Sequence, residues 1–423
     1  MKIKDIYDVY SNYFLVDTDT RKIRENTVFF ALKGENFNGN EFAEKALKLG
    51  ASYAIVDEKK YNTHKNIILV KDVLKTLQKL ANYHRTVLKT TIIGITGSNG
   101  KTTTKELIHK VLSKKYKITA TKGNLNNHIG VPLTLLSMTP ETEIGIIEMG
   151  ANHQKEIEFL CTICEPDFGY ITNFGKAHLE GFKGIEGVIK GKSELYQYLE
   201  KNNKTAFINP EDAIQVEKTK HLHGISFQTR LKFIEINPFV KLSYKDATIQ
   251  SHLIGKYNYT NIAIACTIGH YFKVSDADIK KGIESYIPDN NRSQIIKKES
   301  NTIILDAYNA NPSSMRAALD TFKCMDTMSK TVILGDMFEL GTTSLEEHTS
   351  VMDLVKKLNF NKAYFVGGSF YQTKSENNIY KTFEELYAYL KNNPLENQSI
   401  LIKGSRGMGL ERLLDIIYWH YQS

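Results

Sequence analysis

The sequence predicts an α/β protein of three domains, with parallel sheets in the second and third. Three observations predict it. The chain has 423 residues, and at about 150 residues per domain that length suits roughly three. Short apolar runs alternate with helical patterns along most of it, the signature of parallel strands covered by helices. One strand-to-helix junction, "GITGSNGKTTTKE" (94–106), is rich in glycine. Hydrophobic residues make up 41% and charged residues 24%, ordinary values for a globular protein with ample core material.

Residues 1–88 form the first unit. "TVFFALKG" (27–34) reads as a strand, "NEFAEKALKLGA" (40–51) as an amphipathic helix and "SYAIVDE" (52–58) as a second strand. The second unit, 89–288, alternates more clearly. "TTIIGIT" (90–96) is a buried strand. The helix of 102–115 carries Leu107, Ile108, Val111 and Leu112 at helical spacing. "EIGIIEMG" (143–150), "FGYITN" (168–173) and "TAFIN" (205–209) are further strands, 220–254 is β-rich and irregular, and 258–272 is helical. The third unit, 289–423, follows the turn-like "PDNN". Strands at 302–308, 331–337, 363–368 and 399–405 alternate with helices and a final helix closes the chain. That is a Rossmann-like, doubly wound pattern. It lacks G-x-G-x-x-G after its first strand, which leaves dinucleotide binding unsupported.

The glycine junction carries the chemistry. A strand feeding a tight turn that opens a helix points backbone N–H groups and the helix N-terminus at an anion. Gly97 and Gly100 permit the turn, Lys101 reaches terminal phosphates and Thr102 offers a hydroxyl to Mg²⁺. The strict spacing is missed because Ile95 stands where the first loop glycine belongs, so this is a variant loop on a P-loop ATPase-like unit. Phosphoryl chemistry also needs metal ligands and positive charge. Glu148 ends a strand whose carboxyl end faces the ligand crevice. His178 follows the next strand end, where capping, solvent exposure or a metal role all fit. Lys192 lies on the next helix, ordinarily a solvated face.

Other classes find less support. The net charge is +8, but the lysines are scattered and only pair up (Lys114-Lys115, Lys280-Lys281, Lys297-Lys298). No basic–aromatic stripe for nucleic acid results. Cys161 and Cys164 make a lone CxxC in an apolar helical stretch, which reads as two buried thiols, and His221-Leu-His223 is equally weak as a metal site. The N-terminus lacks the apolar core of a signal peptide. No run approaches about 18 apolar residues. A cytoplasmic protein without a membrane span is expected.

Together these stretches resemble the Mur ligases, ATP-dependent amide-forming enzymes of peptidoglycan assembly. "GITGSNGKTTTKE", "EMGANHQKEI", "ITNFGKAHLEGF" with "KSEL" downstream, "GKYNYTNIAIA" and "LDAYNANPSSM" follow in family order over nearly the whole chain. Four stretches resemble the branch that adds D-alanyl-D-alanine to a UDP-N-acetylmuramoyl-tripeptide: "TKGNLNNHIGVPLTLLS" (121–137), "DAYNANPSSM" (306–315), "GDMFELG" (335–341) and "LIKGSRGMGLE" (401–411). "DTRKIRENTVFFALKGENFNGNEF" (19–42) is similar to the family's uridine-nucleotide domain.

The resemblance implies roles. Gly97, Ser98, Asn99, Gly100, Lys101, Thr102 and Thr103 would hold the ATP phosphates. Asn258 and Asn261 would face adenine, Asp306 ribose and Arg292 the γ-phosphate. Thr102, Glu148, His178 and a carbamylated Lys192 would hold Mg²⁺, two ions in all. Lys101, Glu148, His178, Lys192 and Arg292 would form the catalytic set. Thr20, Arg21, Lys33 and Gly34 would meet the UDP end, and Asn126 and Asn127 the acceptor side. A monomer is expected. Three departures touch nucleoside contacts: Tyr257 replaces the family's His, Asn291 its Gly before the arginine, and Leu305 the first acid of an Asp-Asp pair. The third-residue-adding ligase and folylpolyglutamate synthetase share the loop and the metal set, and the Asn-rich 121–137 stretch favours the D-alanyl-D-alanine branch. A P-loop switch would need no acceptor site.

Overall fold

The structure, a computed structural model, describes residues 2–227, 230–289, 291–327, 329–373 and 378–417. The first sheet runs in the order Val16–Asp17, Val28–Phe30, Tyr53–Val56, Ile67–Leu69, all parallel. The strand expected over 27–34 stops at Phe30 because Leu32 N–H turns back to the Phe30 carbonyl at 2.9 Å. Lys33–Gly34 instead pairs with Phe37–Asn38 as a small antiparallel hairpin. The helix expected over 40–51 is shorter and split, a 3₁₀ turn at Gly39–Phe42 followed by Ala43–Lys48. Asn40 explains the split: fully buried, its side chain bonds Asp57 N–H at 2.9 Å and the Asn38 and Asp57 side-chain oxygens at 3.0 Å, which ties the turn to the next strand end.

Helix Val73–Leu88, capped by Asp72, leads from this sheet to the next. It docks on the central unit through Gln78 to the His128 carbonyl at 3.0 Å, Asn82 to the Ile163 carbonyl at 3.1 Å and an Arg85–Asp167 ion pair at 2.8 Å.

The central sheet has six parallel strands in the order His223–Ser226, Thr205–Ile208, Phe168–Ile171, Thr91–Thr96, Ile144–Glu148, Ile118–Ala120. Thr91–Thr96 therefore lies between Phe168–Ile171 and Ile144–Glu148, and the carboxyl ends of all three converge. Ligands of open α/β sheets bind at such a reversal of strand order. The irregular 220–254 stretch resolves into the edge strand His223–Ser226 and a separate antiparallel sheet, Leu231–Ile236, Phe239–Tyr244 and Ala247–Ile254. Val240, Leu242 and Ile249 from that sheet join Leu107, Val111, Ile262 and Ile268 in one buried cluster, so helices Lys101–Leu112 and Tyr257–Tyr271 pack together beneath it.

The third sheet runs Gln294–Lys298, Asn301–Asp306, Ser399–Lys403, Lys330–Gly335, Lys362–Val366, Asn378–Tyr380, with only its first strand antiparallel. The closing helix is not α-helical over the described residues. Two 3₁₀ turns, Arg406–Met408 and Leu410–Asp415, take its place, and Gly409 at φ +58 separates them. The remainder of that expected helix lies outside the described residues. Cys161 and Cys164 are buried thiols on helix Glu156–Cys164, both against the Met149 sulfur. Among the described residues no helix is long and apolar enough to cross a membrane.

Candidate active site

The loop 97–100 leaves strand Thr91–Thr96 and opens helix Lys101–Leu112. Gly97 sits at φ +135, and a Cβ there would come within 2.0 Å of Thr172 Oγ1. Gly100, at φ +81, is the residue before the helix. Only glycine takes both positions without strain. The loop is stapled to the neighbouring strand end: Ser98 N–H donates to the Asn173 carbonyl at 3.0 Å and Asn99 N–H to Asn173 Oδ1 at 3.2 Å. Thr172 Oγ1 donates to the Asn99 carbonyl at 2.6 Å. Lys101 Nζ folds back onto the Gly97 carbonyl at 2.7 Å and the Ser98 carbonyl at 3.2 Å. Burial holds this ammonium below the usual lysine range. Glu148 opposes that shift and Arg292 adds to it.

Glu148 is 2% exposed, and each end of it is held by a different segment. Thr102 Oγ1 donates to Oε2 at 2.9 Å, Asn126 Nδ2 donates to Oε1 at 2.9 Å, and the Glu148 N–H donates to Thr121 Oγ1 at 2.9 Å. Lys105, one turn into the loop helix and 1% exposed, reaches the Thr121 carbonyl at 2.5 Å and Glu106 at 2.7 Å. One carboxylate thus joins the phosphate loop to the Asn-rich segment. Asn127 spends its side-chain oxygen on the N–H groups of Ile129 and Gly130, at 3.1 and 2.9 Å, as a turn before helix Gly130–Leu135.

A cavity of about 1290 Å³ opens over these groups. Ser98 to Thr103, Asn126, Asn127, Glu148, His178, Asn258, Asn261, Arg292 and Asp306 line it. So do Asp72 and Gln78 from the first unit and Tyr308, Ser313 and Lys403 from the third. Sequence reasoning left these last five without roles, although Tyr308, Ser313 and Lys403 fall in the quoted stretches "DAYNANPSSM" and "LIKGSRGMGLE". Asn258 and Asn261 are buried and bonded to each other at 2.8 Å, and Thr104 Oγ1 donates to Asn261 at 3.0 Å. Tyr257 bonds Ser293 at 3.0 Å. Asn291 adopts φ +57, a conformation that glycine takes freely and asparagine tolerates. The Arg292 guanidinium lies 3.6 Å over the Tyr308 ring. Asp306 pairs with Lys403 at 2.6 Å and accepts the Ser293 N–H at 3.1 Å. Leu305 is core.

Lys192 does not sit on a solvated face. It is 1% exposed, its Nζ donates among the described residues only to the Ala151 carbonyl at 3.0 Å, and it lies 5.0 Å from the Phe182 ring. Ala151 itself lines the cavity. Burial, with Lys101 adding to it, pushes the amine well below the usual lysine range. His178, at φ +53 before the short helix Leu179–Phe182, binds Glu339 through Nδ1. Among the described residues no three His, Cys, Asp or Glu side chains gather into a metal-binding group. The Thr102–Glu148 pair supplies hard oxygen donors of the kind Mg²⁺ prefers. Lys192 is a buried amine without a carboxylate partner among the described residues, the form that adds CO₂. Both fit the cation and the carbamate. The cavity does not gather Thr20, Arg21, Lys33 or Gly34. They lie on the first unit, where Arg21 pairs with Asp19 at 2.6 Å and Lys33 with Asp57 at 2.8 Å.

A P-loop at the switch point of a parallel sheet, facing a second doubly wound unit across one cleft, is the arrangement of an ATP-using enzyme. The chain belongs to the Mur ligase family. Residues 13–85 match the model "Mur ligase family, catalytic domain", 95–269 the Mur ligase middle domain and 291–406 the Mur ligase glutamate ligase domain. The Bacillus subtilis UDP-N-acetylmuramoyl-tripeptide–D-alanyl-D-alanine ligase is 34% identical over 419 residues, covering 94% of this chain and 92% of that protein. A crystal structure of MurF from Acinetobacter baumannii superposes with a TM-score of 0.84 at 29% identity, covering 95% of this chain and 92% of the other. MurF from Thermotoga maritima, solved in complex with ADP, gives 0.83 at 27% identity, covering 95% and 96%.

Proposed function

We propose that this ATP-dependent ligase joins D-alanyl-D-alanine to UDP-N-acetylmuramoyl-tripeptide, giving the UDP-linked pentapeptide for peptidoglycan synthesis. The observation that carries this reading is Glu148, held by Thr102 of the phosphate loop on one oxygen and by Asn126 of the Asn-rich segment on the other. The carboxylate end of the tripeptide and the γ-phosphate of ATP meet there.

Residues 1–88 hold the uridine nucleotide, with Thr20, Arg21, Lys33 and Gly34 at that end. Residues 89–288 hold ATP, and residues 289–423 bring the amino substrate and close over the nucleotide. The tripeptide carboxylate attacks the γ-phosphorus and displaces ADP, forming an acyl phosphate. Lys101 and Arg292 neutralise the transferring phosphoryl group. The free amine of D-alanyl-D-alanine then attacks the acyl carbon, loses its proton, and expels phosphate from the tetrahedral intermediate. Asn258 and Asn261 seat the adenine, Asp306 the ribose, and Asn126 and Asn127 the acceptor side. Thr102, Glu148, His178 and a carbamylated Lys192 would hold Mg²⁺, which neutralises phosphate charge when bound. Closure of the cleft excludes water that would hydrolyse the acyl phosphate. The substrates, all water-soluble, suit a cytoplasmic enzyme.

The test supplies ATP, Mg²⁺, UDP-muramoyl tripeptide and D-alanyl-D-alanine and measures ADP, phosphate and pentapeptide. ATP turnover without pentapeptide refutes the acceptor. Turnover that ignores D-alanyl-D-alanine would favour a nucleotide switch.

A further inference from the structure

The segment carrying His178 belongs to the central unit, yet the third unit holds it in place. Lys176 N–H donates to Ser313 Oγ at 2.9 Å, and Lys176 Nζ pairs with Glu347 at 2.5 Å. Glu180 N–H donates to the Glu339 carbonyl at 3.1 Å, and Gly341, at φ +57, lies against the Glu180 side chain. At the centre of these contacts the Glu339 carboxylate takes His178 Nδ1. It is the only hydrogen-bond partner of that imidazole among the described residues. His178 also carries a left-handed backbone, a strained conformation that a non-glycine residue keeps where its surroundings hold it. A proton on Nδ1, donated to Glu339, leaves the lone pair on Nε2. Histidines that bind cations are commonly oriented this way, by a carboxylate on the other ring nitrogen.

We propose that Glu339 is a positioning residue that turns His178 into a cation ligand only when the third unit is docked, so that domain closure and completion of the metal site are one event. This rests on His178 belonging to the Mg²⁺ set of the proposed function. It also gives the "GDMFELG" stretch a role that the nucleotide and substrate assignments leave empty. An undocked third unit leaves His178 free to rotate. The acyl phosphate then forms only in the arrangement that also excludes water and presents the amine.

The experiment uses the full chain and measures the Mg²⁺ concentration that half-saturates binding of a non-hydrolysable ATP analogue, with ring ¹⁵N spectra of the histidines as a second readout. Glu339→Ala should raise that concentration about tenfold, the scale of losing a group that orients a ligand. It should also erase the Nδ1–H signature of His178. Glu339→Gln keeps an acceptor oxygen and should stay within about threefold of the parent, whereas Glu339→Met keeps the volume without the acceptor and should shift as far as Glu339→Ala, an outcome that bulk packing does not predict. His178→Ala should shift the Mg²⁺ requirement at least as far, and the double variant no further. A shift in His178→Ala with none in Glu339→Ala overturns the positioning role alone, as does an additive double variant. No shift in His178→Ala overturns the metal assignment beneath it. Thermal melting of each variant separates these outcomes from misfolding, and if the alanine form does not fold, Glu339→Met decides the question: a parent-like Mg²⁺ requirement in it overturns the positioning role.

Discussion

His84 offers a quantitative test of how the first unit is docked on the central one. The imidazole is fully buried on helix Val73–Leu88, with Nε2 donating to the Met138 carbonyl at 3.1 Å and Nδ1 accepting from the Tyr7 hydroxyl at 3.4 Å. The rings of Tyr7, Tyr10 and Phe14 surround it at centroid distances of 5.7, 5.1 and 5.6 Å. Burial pushes its pKa from 6.5 down to about 4, against the raising effect of the Met138 bond. Between those values the unfolded chain binds a proton that the folded chain refuses. Stability is therefore complete above pH 6.5 and falls as the pH drops towards 4. Integrating the two titrations gives a loss of about 2 kcal/mol between pH 7 and pH 5, approaching about 3 kcal/mol below pH 4. Urea unfolding of the parent and of His84→Gln, which keeps a donor for Met138, isolates this contribution because the other histidines are common to both. The parent should lose about 2 kcal/mol more than the variant over that interval. Equal pH dependence in the two proteins would refute the reasoning.

Three further outcomes follow from the site. Lys192→Ala should cut pentapeptide formation at least about a hundredfold, at or beyond the upper end for groups that merely orient a ligand, and short-chain carboxylic acids should restore part of it. Full activity in that variant removes Lys192 from the site. Asn126→Ala takes a charge-assisted bond from the buried Glu148 carboxylate, so urea unfolding should register a loss of about 1.5–3 kcal/mol. Asn291→Ala, at φ +57, should lower stability by about 1 kcal/mol, and Asn291→Gly should not. Thermal melting of the pair checks it, and equal melting would show that the backbone there is unstrained.

Much of the central unit was legible because its signals are local. Strand Thr91–Thr96, two glycines that tolerate positive φ, and a helix opening at Lys101 lie within a dozen residues, and each follows from neighbours in the chain. The four strands expected in the third unit likewise appear at Asn301–Asp306, Lys330–Gly335, Lys362–Val366 and Ser399–Lys403. Where a distant partner intervened, the reading drifted. Asn40, bound to Asp57, broke a helix that amphipathic spacing alone had extended. Lys192 looked like a surface lysine because a helical wheel cannot tell which polar position faces Phe182 and Ala151.

The sequence by itself determined the α/β class, the phosphate loop and, through a family resemblance, the expected partners of that loop. Periodicity and turn chemistry act over a few residues and survive without knowledge of the fold. Only the tertiary structure decided which side chains meet: Thr102 with Glu148 across 46 positions, Asn126 with Glu148 across 22, and His178 with Glu339 across 161. These contacts depend on strand order at the carboxyl edge of the central sheet and on how the third unit docks against it. Burial sets both, and burial is a property of the whole chain.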